Sequence, residues 1–230
     1  LGIPAPGTSS ITPIDINSSQ FTLKLPMKSR LAYLKVYILK KNSLLSFGNL
    51  IVSAGDDLSI KLDKDGFKTI TGNSSIINAQ INFLNGLINS NGIVLKNANE
   101  IPIAFNKCDS LIQAHQLNTN NKDVWVVNVY NKQIEAITKT KLLEVLRRAG
   151  RAHQELKVDI YQFLRSKQDS WQVNIEEPYF RDVLSLPMYI YFYQTVLLEF
   201  GPKSDVSFFS HIYNEIRSNY PPFVADKATA

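Results

Sequence analysis

The feature that most limits what this chain can fold into is a change of hydrophobic period near residue 130. Ahead of it apolar residues recur at every second position; beyond it they recur at every third and fourth. Strand side chains alternate between faces, whereas helical ones return to a face every 3.6 residues, so the two halves demand different backbones. Gln20 to Leu25 sets Phe21, Leu23 and Leu25 against Gln20, Thr22 and Lys24. Leu31 to Lys41 sets Ala32, Leu34, Val36 and Ile38 against Tyr33, Lys35 and Tyr37. Leu58, Ile60 and Leu62 form a short strand ending at the turn sequence Asp63-Lys64-Asp65-Gly66. The same alternation predicts strands over Ile77–Phe83, Glu100–Phe105 and Asp123–Tyr130, the last with Trp125, Val127 and Val129 on one side. Asn85-Gly86 and Asn91-Gly92 are favoured pairs for two-residue hairpin turns, because both positions tolerate positive φ.

After residue 130 the pattern is helical. Leu142, Leu146, Ala149, His153, Leu156, Ile160 and Phe163 are spaced alternately four and three apart, one stripe of a continuous helix from about Lys132 to Arg165. Gly150 is a weak point in it, costing about 1 kcal/mol against alanine. A short helical turn is expected over Glu176–Ser185 and a second helix from Pro187 to just before Gly201-Pro202. A third runs from a Ser204 cap to Asn219, ended by Tyr220-Pro221-Pro222. The predicted fold is therefore α+β: a lead-in over 1–19, an antiparallel β-rich part over 20–130, a helical part over 131–222 and a tail over 223–230. The opening residues lack a basic stretch followed by an apolar one, so no signal peptide is expected in them.

Composition narrows the chemistry. A single cysteine, Cys108, excludes an internal disulfide framework, and three scattered histidines supply too few ligands for a structural zinc site. His115, His153 and His211 show no metal-binding spacing, and His153 lies on the apolar stripe. No P-loop, G-x-G-x-x-G or G-x-S-x-G motif occurs. No cofactor is expected.

Gly55-Asp56-Asp57, between Leu50-Ile51-Val52 and Leu58-Ser59-Ile60, resembles the metal-binding hairpin of RNA-dependent RNA polymerases. In those enzymes adjacent carboxylates at a strand–turn–strand tip hold the magnesium ions that align phosphoryl transfer. The resemblance covers this hairpin alone. Asp15 is the only acid before Asp56, so the further aspartates of that site have no counterpart, and such enzymes are much longer. The residues read better as a plain turn. Asp63-x-Asp65-Gly66 shares a fragment with calcium loops, but Lys61 and Gly72 stand where ligands are needed.

The formal net charge is +5. No acid lies between Asp15 and Asp56, while Lys24, Lys28, Arg30, Lys35, Lys40 and Lys41 do. Tyr33, Lys35 and Tyr37, beside Lys24 and Arg30, have the composition of a stacking platform for single-stranded nucleic acid, or of a sheet face covered by another element. Lys139, Lys141, Arg147, Arg148 and Arg151 surround Glu144, which reads as an anion contact or as a solvated helix face.

Val183 to Leu198 carries no charge and holds Tyr189, Tyr191, Phe192 and Tyr193. It falls short of the roughly 20 residues of a spanning helix, so no transmembrane helix is expected. Aromatics of this kind suit a core that also serves an interface. The leading expectation is a non-catalytic structural or assembly subunit, an oligomer partner of other protein chains, of the type found in virions, phage tails or secretion apparatus. The alternative is a nucleic-acid-binding accessory protein using the basic strand and helix. An enzyme comes third, with Asp56, Asp57, Glu176 and Glu177 as its acids.

Overall fold

A computed structural model describes residues 2–5, 8–11, 30–40, 43–63, 66–89, 95–118, 123–171, 178–202 and 207–229. The order is β1 (Gly2–Ala5), β2 (Thr8–Ile11), β3 (Leu31–Lys40), β4 (Ser43–Ser53), β5 (Leu58–Asp63), β6 (Gly66–Gly72) and α1 (Ser75–Asn89). There follow α2 (Glu100–His115), α3 (Val124–Ala152), α4 (Leu156–Ser166), α5 (Gln168–Trp171), a 3₁₀ turn (Pro178–Asp182), α6 (Leu186–Phe200), α7 (Phe208–Asn219) and α8 (Pro222–Thr229). The fold is α+β, with small antiparallel sheets first and helices after them. It forms two units: residues 1–88 with 119–130, and 89–118 with 131–230.

In the first unit the four-stranded sheet has the order β2-β1-β3-β4, and β5 pairs with β6 in a separate hairpin. The opening residues, expected as a lead-in, supply β1 and β2. Strand β3 is as expected, but Leu31, Ala32, Tyr33 and Leu34 are buried in succession, so this end of it is covered on both faces. Ile77 and Ile81, one turn apart on α1, pack with Leu50 of β4 and Ile70 of β6.

Carboxamide side chains stand in for strand neighbours. Gln80 on α1 accepts the Ile51 N–H at 2.6 Å and donates to the Ile51 carbonyl at 2.8 Å, satisfying a buried stretch of β4. Asn78 pairs in the same two-sided way with Gly72 at the end of β6, at 3.0 and 2.7 Å. A side chain at Gly72 itself has no room: a Cβ there falls 2.2 Å from Ile77 Cγ2.

Three predicted strands are helices. Ile77–Phe83 lies in α1, begun by Ser74, whose hydroxyl accepts the Ile77 N–H at 3.2 Å. Ile77, Ile81 and Leu84 satisfy a helical spacing as well as the alternation does, and Gln80 is needed on the inner face. Asn85-Gly86 is accordingly inside α1, and Asn91-Gly92 lies outside the described residues. Glu100–Phe105 opens α2, whose buried residues Ile101, Ala104, Phe105, Cys108 and Ile112 trace one helical stripe. Pro102 sits in its first turn, where the missing N–H has no intrahelical acceptor to lose. Asp123–Tyr130 opens α3, where the Asp123 carboxylate accepts the Trp125 and Val126 N–H groups at 2.9 and 3.4 Å. Burial of Val126, Val127, Val129 and Tyr130 overrides the weak helix preference of β-branched residues.

The expected continuous helix from Lys132 to Arg165 is α3 and α4, divided at His153–Glu155. The interruption is close to one turn long, so the apolar stripe keeps its phase across it and hides it from the spacing. Gly150 is a close approach rather than a weak point: a Cβ there meets the Phe200 ring at 2.5 Å. The cap of α7 is Ser207, not Ser204, and residues expected as a tail form α8 with Pro222 at its start. Gln20–Leu25 and Lys64-Asp65 lie outside the described residues.

Candidate functional site

The second unit is organised by α6, which touches α4, α7 and α8. Pro187 is tolerated in the first turn, and the helix stops where Gly201 turns extended and its N–H bonds to the Leu197 carbonyl. Leu186, Tyr189, Ile190, Tyr193, Val196 and Phe200 form its buried face. Helical geometry therefore divides the four aromatics that the sequence groups together. Tyr189 and Tyr193 point inward; Tyr191 and Phe192, edge to face at 6.0 Å, are half-buried.

Outside, Tyr191 and Phe192 continue a row begun by Leu184 and Met188, 43% and 55% exposed. These two residues were not singled out from sequence, although the four-residue step from Met188 to Phe192 carries the signal for Met188 once Pro187 sets the helix start; Leu184 lies in the turn before it. On α7 a second apolar pair, Phe209 and Tyr213, lies one turn apart with Phe209 76% exposed. Arg217 lies over the Tyr213 ring at 4.9 Å and pairs with Asp226 on α8 at 2.7 Å.

Behind the inner face is an aromatic and ionic cluster. Phe105 of α2 contacts Phe163 of α4 and Trp171 of α5, with centroids 4.7 and 4.6 Å away. The Tyr189 hydroxyl donates to the Trp171 carbonyl, and burial raises its pKa well above the ordinary value. The Lys139 ammonium, with its side chain only 7% exposed, lies 5.1 Å from the Trp171 ring. It donates to Glu135 at 2.7 Å and to the Ser170 carbonyl at 3.1 Å. Burial opposes ionisation of Glu135, but Lys139 and then Lys132 outweigh it and hold its carboxyl below the usual range. Cys108 is buried nearby, its thiol pushed up to about 12 by burial and then by Asp109. That environment suppresses the thiolate a nucleophile needs.

The basic residues of α3 are distributed among acids. Arg147 and Arg151 both donate to Glu199 of α6, at 2.7 and 2.6 Å. Burial again opposes ionisation of Glu199, and the two arginines overcome it. Lys141 pairs with Glu144 at 3.2 Å, and exposed Arg148 donates to the Glu144 carbonyl. In the first unit Arg30 lies 3.8 Å from Asp123 and over the Trp125 ring at 5.8 Å. Tyr33 is buried and Lys35 half-buried on β3, which also carries Tyr37; Lys24 lies outside the described residues.

Asp56 and Asp57 occupy a self-contained turn between β4 and β5. Gly55 supplies its positive φ of 87°, Asp56 accepts the Ser53 N–H at 2.7 Å, and Asn73 accepts the Asp57 N–H at 2.7 Å. Asp56 thus serves the backbone of the strand end. Glu176 and Glu177 lie outside the described residues. Among the described residues no cluster of three or more His, Cys, Asp or Glu side chains is placed to hold a metal, and no helix is long and apolar enough to cross a membrane. Compared with family models, with curated proteins and with solved structures, the chain matches none.

Proposed function

We propose that the protein is a non-catalytic subunit of a larger assembly and that the outer face of α6 docks against an uncharged surface of a neighbouring protein subunit. The observation that carries this reading is the apolar group of exposed Leu184 and Met188 with half-buried Tyr191 and Phe192, on a segment with no charge from Val183 to Leu198. A fully buried Leu or Met side chain is stabilised by about 1.5–3 kcal/mol, and roughly half of that remains to be gained by Leu184 and Met188. Together they are worth about 1.5–3 kcal/mol, or roughly ten- to a hundredfold in affinity. The matched charges on α3 favour the same reading over nucleic-acid binding: Arg147, Arg151, Lys139 and Lys141 each already meet a carboxylate.

The test is the mass of the native particle by light scattering, for the wild-type chain and for Met188→Glu. A species heavier than the 26.0 kDa chain is expected. Met188→Glu should dissociate it while leaving the thermal midpoint in place. A monomer at high concentration, with no subunit co-purifying from the native source, would overturn the proposal.

A further inference from the structure

On α7 the chain displays a second apolar surface, of the uncharged kind that the outer face of α6 requires. Phe209 is 76% exposed and Tyr213 45%, with exposed Ser210 and Asn214 beside them. From Ser207 to Asn214 there is no Asp, Glu, Lys or Arg. We propose, resting on the docking role of α6 above, that the neighbouring subunit is a second copy of this chain joined head to tail. Leu184, Met188 and Phe192 of one copy pack on Phe209 and Tyr213 of the next.

The two patches face different ways. Gln194 and Leu197 of α6 line one cleft with Glu215 and Asn219 of α7, so α7 packs along that side of α6. Leu197 follows Met188 by nine residues, or about two and a half turns, which puts Met188 on the opposite side of the helix. One chain therefore cannot bring its own α6 patch onto its own α7 patch. A two-fold contact of α6 on α6 would leave Phe209 in water. A head-to-tail contact covers both patches at once, and repeated it builds a ring or a filament.

The surfaces match in charge and in form. Neither brings a formal charge to the other, so no ion loses its water when they meet. Arg217, over the Tyr213 ring, stays at the rim with Asp226 as its partner. Met188 and Phe192 are four residues apart on α6, as are Phe209 and Tyr213 on α7, and helix ridges of that spacing interdigitate. At their exposures the two α7 rings offer roughly 180–300 Å² of aromatic surface. A standard interface buries about 800 Å² on each partner, so these rings are the centre of a contact rather than the whole of it. Assembly through them depends on concentration.

The experiment is light scattering of the full chain from about 1 μM to about 1 mM, for the wild type, Met188→Glu, Phe209→Glu and an equimolar mixture of the two variants. The mean mass of the wild type should grow with concentration. Each variant alone should need at least about tenfold more protein to assemble, because every contact then meets one buried carboxylate. The mixture should form a dimer of one copy of each and grow no further: Met188→Glu keeps its α7 patch and Phe209→Glu keeps its α6 patch. Leu184→Glu and Tyr213→Glu take the place of a variant that fails to fold. A wild type that stays monomeric across the range overturns the proposal, and the α6 reading then stands only if a different subunit co-purifies. Phe209→Glu assembling like the wild type while Met188→Glu does not also overturns it, and gives the α6 contact another partner. Two monomeric variants whose mixture stays monomeric overturn the head-to-tail contact. Two variants that both assemble like the wild type overturn this proposal and the α6 reading together.

Discussion

Replacing Glu135 with methionine isolates the energetics of the buried Lys139 pair. At 2.7 Å the gross attraction between Glu135 and Lys139 is about 6 kcal/mol at an effective dielectric of about 20. Desolvation of each ion costs several kcal/mol, so the intact pair contributes little against an apolar pair of the same volume. Removing Glu135 alone is different. It leaves an ammonium under Trp171 and Tyr189 with the Ser170 carbonyl at 3.1 Å as its described acceptor. Glu135→Met should cost about 3–5 kcal/mol, which for a chain of this size lowers the thermal midpoint by about 6–20 °C. Lys139→Met should cost less, because Glu135 keeps Lys132 at 3.0 Å and is itself partly exposed. The double variant should return close to wild type. Denaturant titrations of all four proteins close the cycle. The pH dependence gives a second readout. The folded-state pKa of Glu135 lies below its ordinary value of 4.5, so the stabilisation is complete above that value and is lost as pH falls through the lower, folded one. Glu135→Met should therefore flatten the acid limb of the stability curve. A single-variant cost below about 1 kcal/mol, with an unchanged acid limb, would refute the reasoning.

Gly150→Ala sets a helix-propensity gain of about 1 kcal/mol against a Cβ placed 2.5 Å from the buried Phe200 ring. Overpacking should win, for a net loss of about 1–2 kcal/mol that Gly150→Ala/Phe200→Leu partly recovers in thermal melts. Gln80→Leu strands the buried N–H and carbonyl of Ile51 and should cost about 2–5 kcal/mol by chemical denaturation; a neutral result would show that the edge of β4 finds other partners. With its thiol pushed up to about 12 and buried, Cys108 should resist iodoacetamide at pH 8 until the chain is unfolded, as read by mass spectrometry. Rapid alkylation of the native protein would contradict that placement.

Much of the candidate site was legible because helical periodicity needs only local spacing. The limits of α6 follow from Pro187 and Gly201, and its aromatics are visible as a cluster; which of them face outward required knowing where the neighbouring helices pack. The basic stretch from Lys139 to Arg151 illustrates the opposite case. Its acids at Glu135 and Glu144 are within helical reach along the chain, but Glu199 lies on another helix, so a stretch that reads as an open cationic face is internally matched. Arg165 is unremarkable in sequence and Tyr193 stands out only as one of the α6 aromatics; the packing of α4, α6 and α7 places both on one cleft.

From sequence alone came the α+β order, the strands β3 and β5, the helical character after residue 130, and the end of α7 at Tyr220-Pro221. These are set by short-range chemistry: period, turn residues and proline geometry act within a few positions of each other. Tertiary structure alone decided that Ile77–Phe83, Glu100–Phe105 and Asp123–Tyr130 are helices, since their alternation fits either backbone until the burial partners are known. It also gave the carboxamides their roles. Gln80, Asn78, Asn73 and Asn131 each bond both ways to a backbone segment, Asn131 to Leu117 at 2.9 Å in each direction. An amide side chain has the donor and acceptor of a peptide group, but which peptide it completes depends on a partner as many as 29 residues away, as for Gln80 and Ile51.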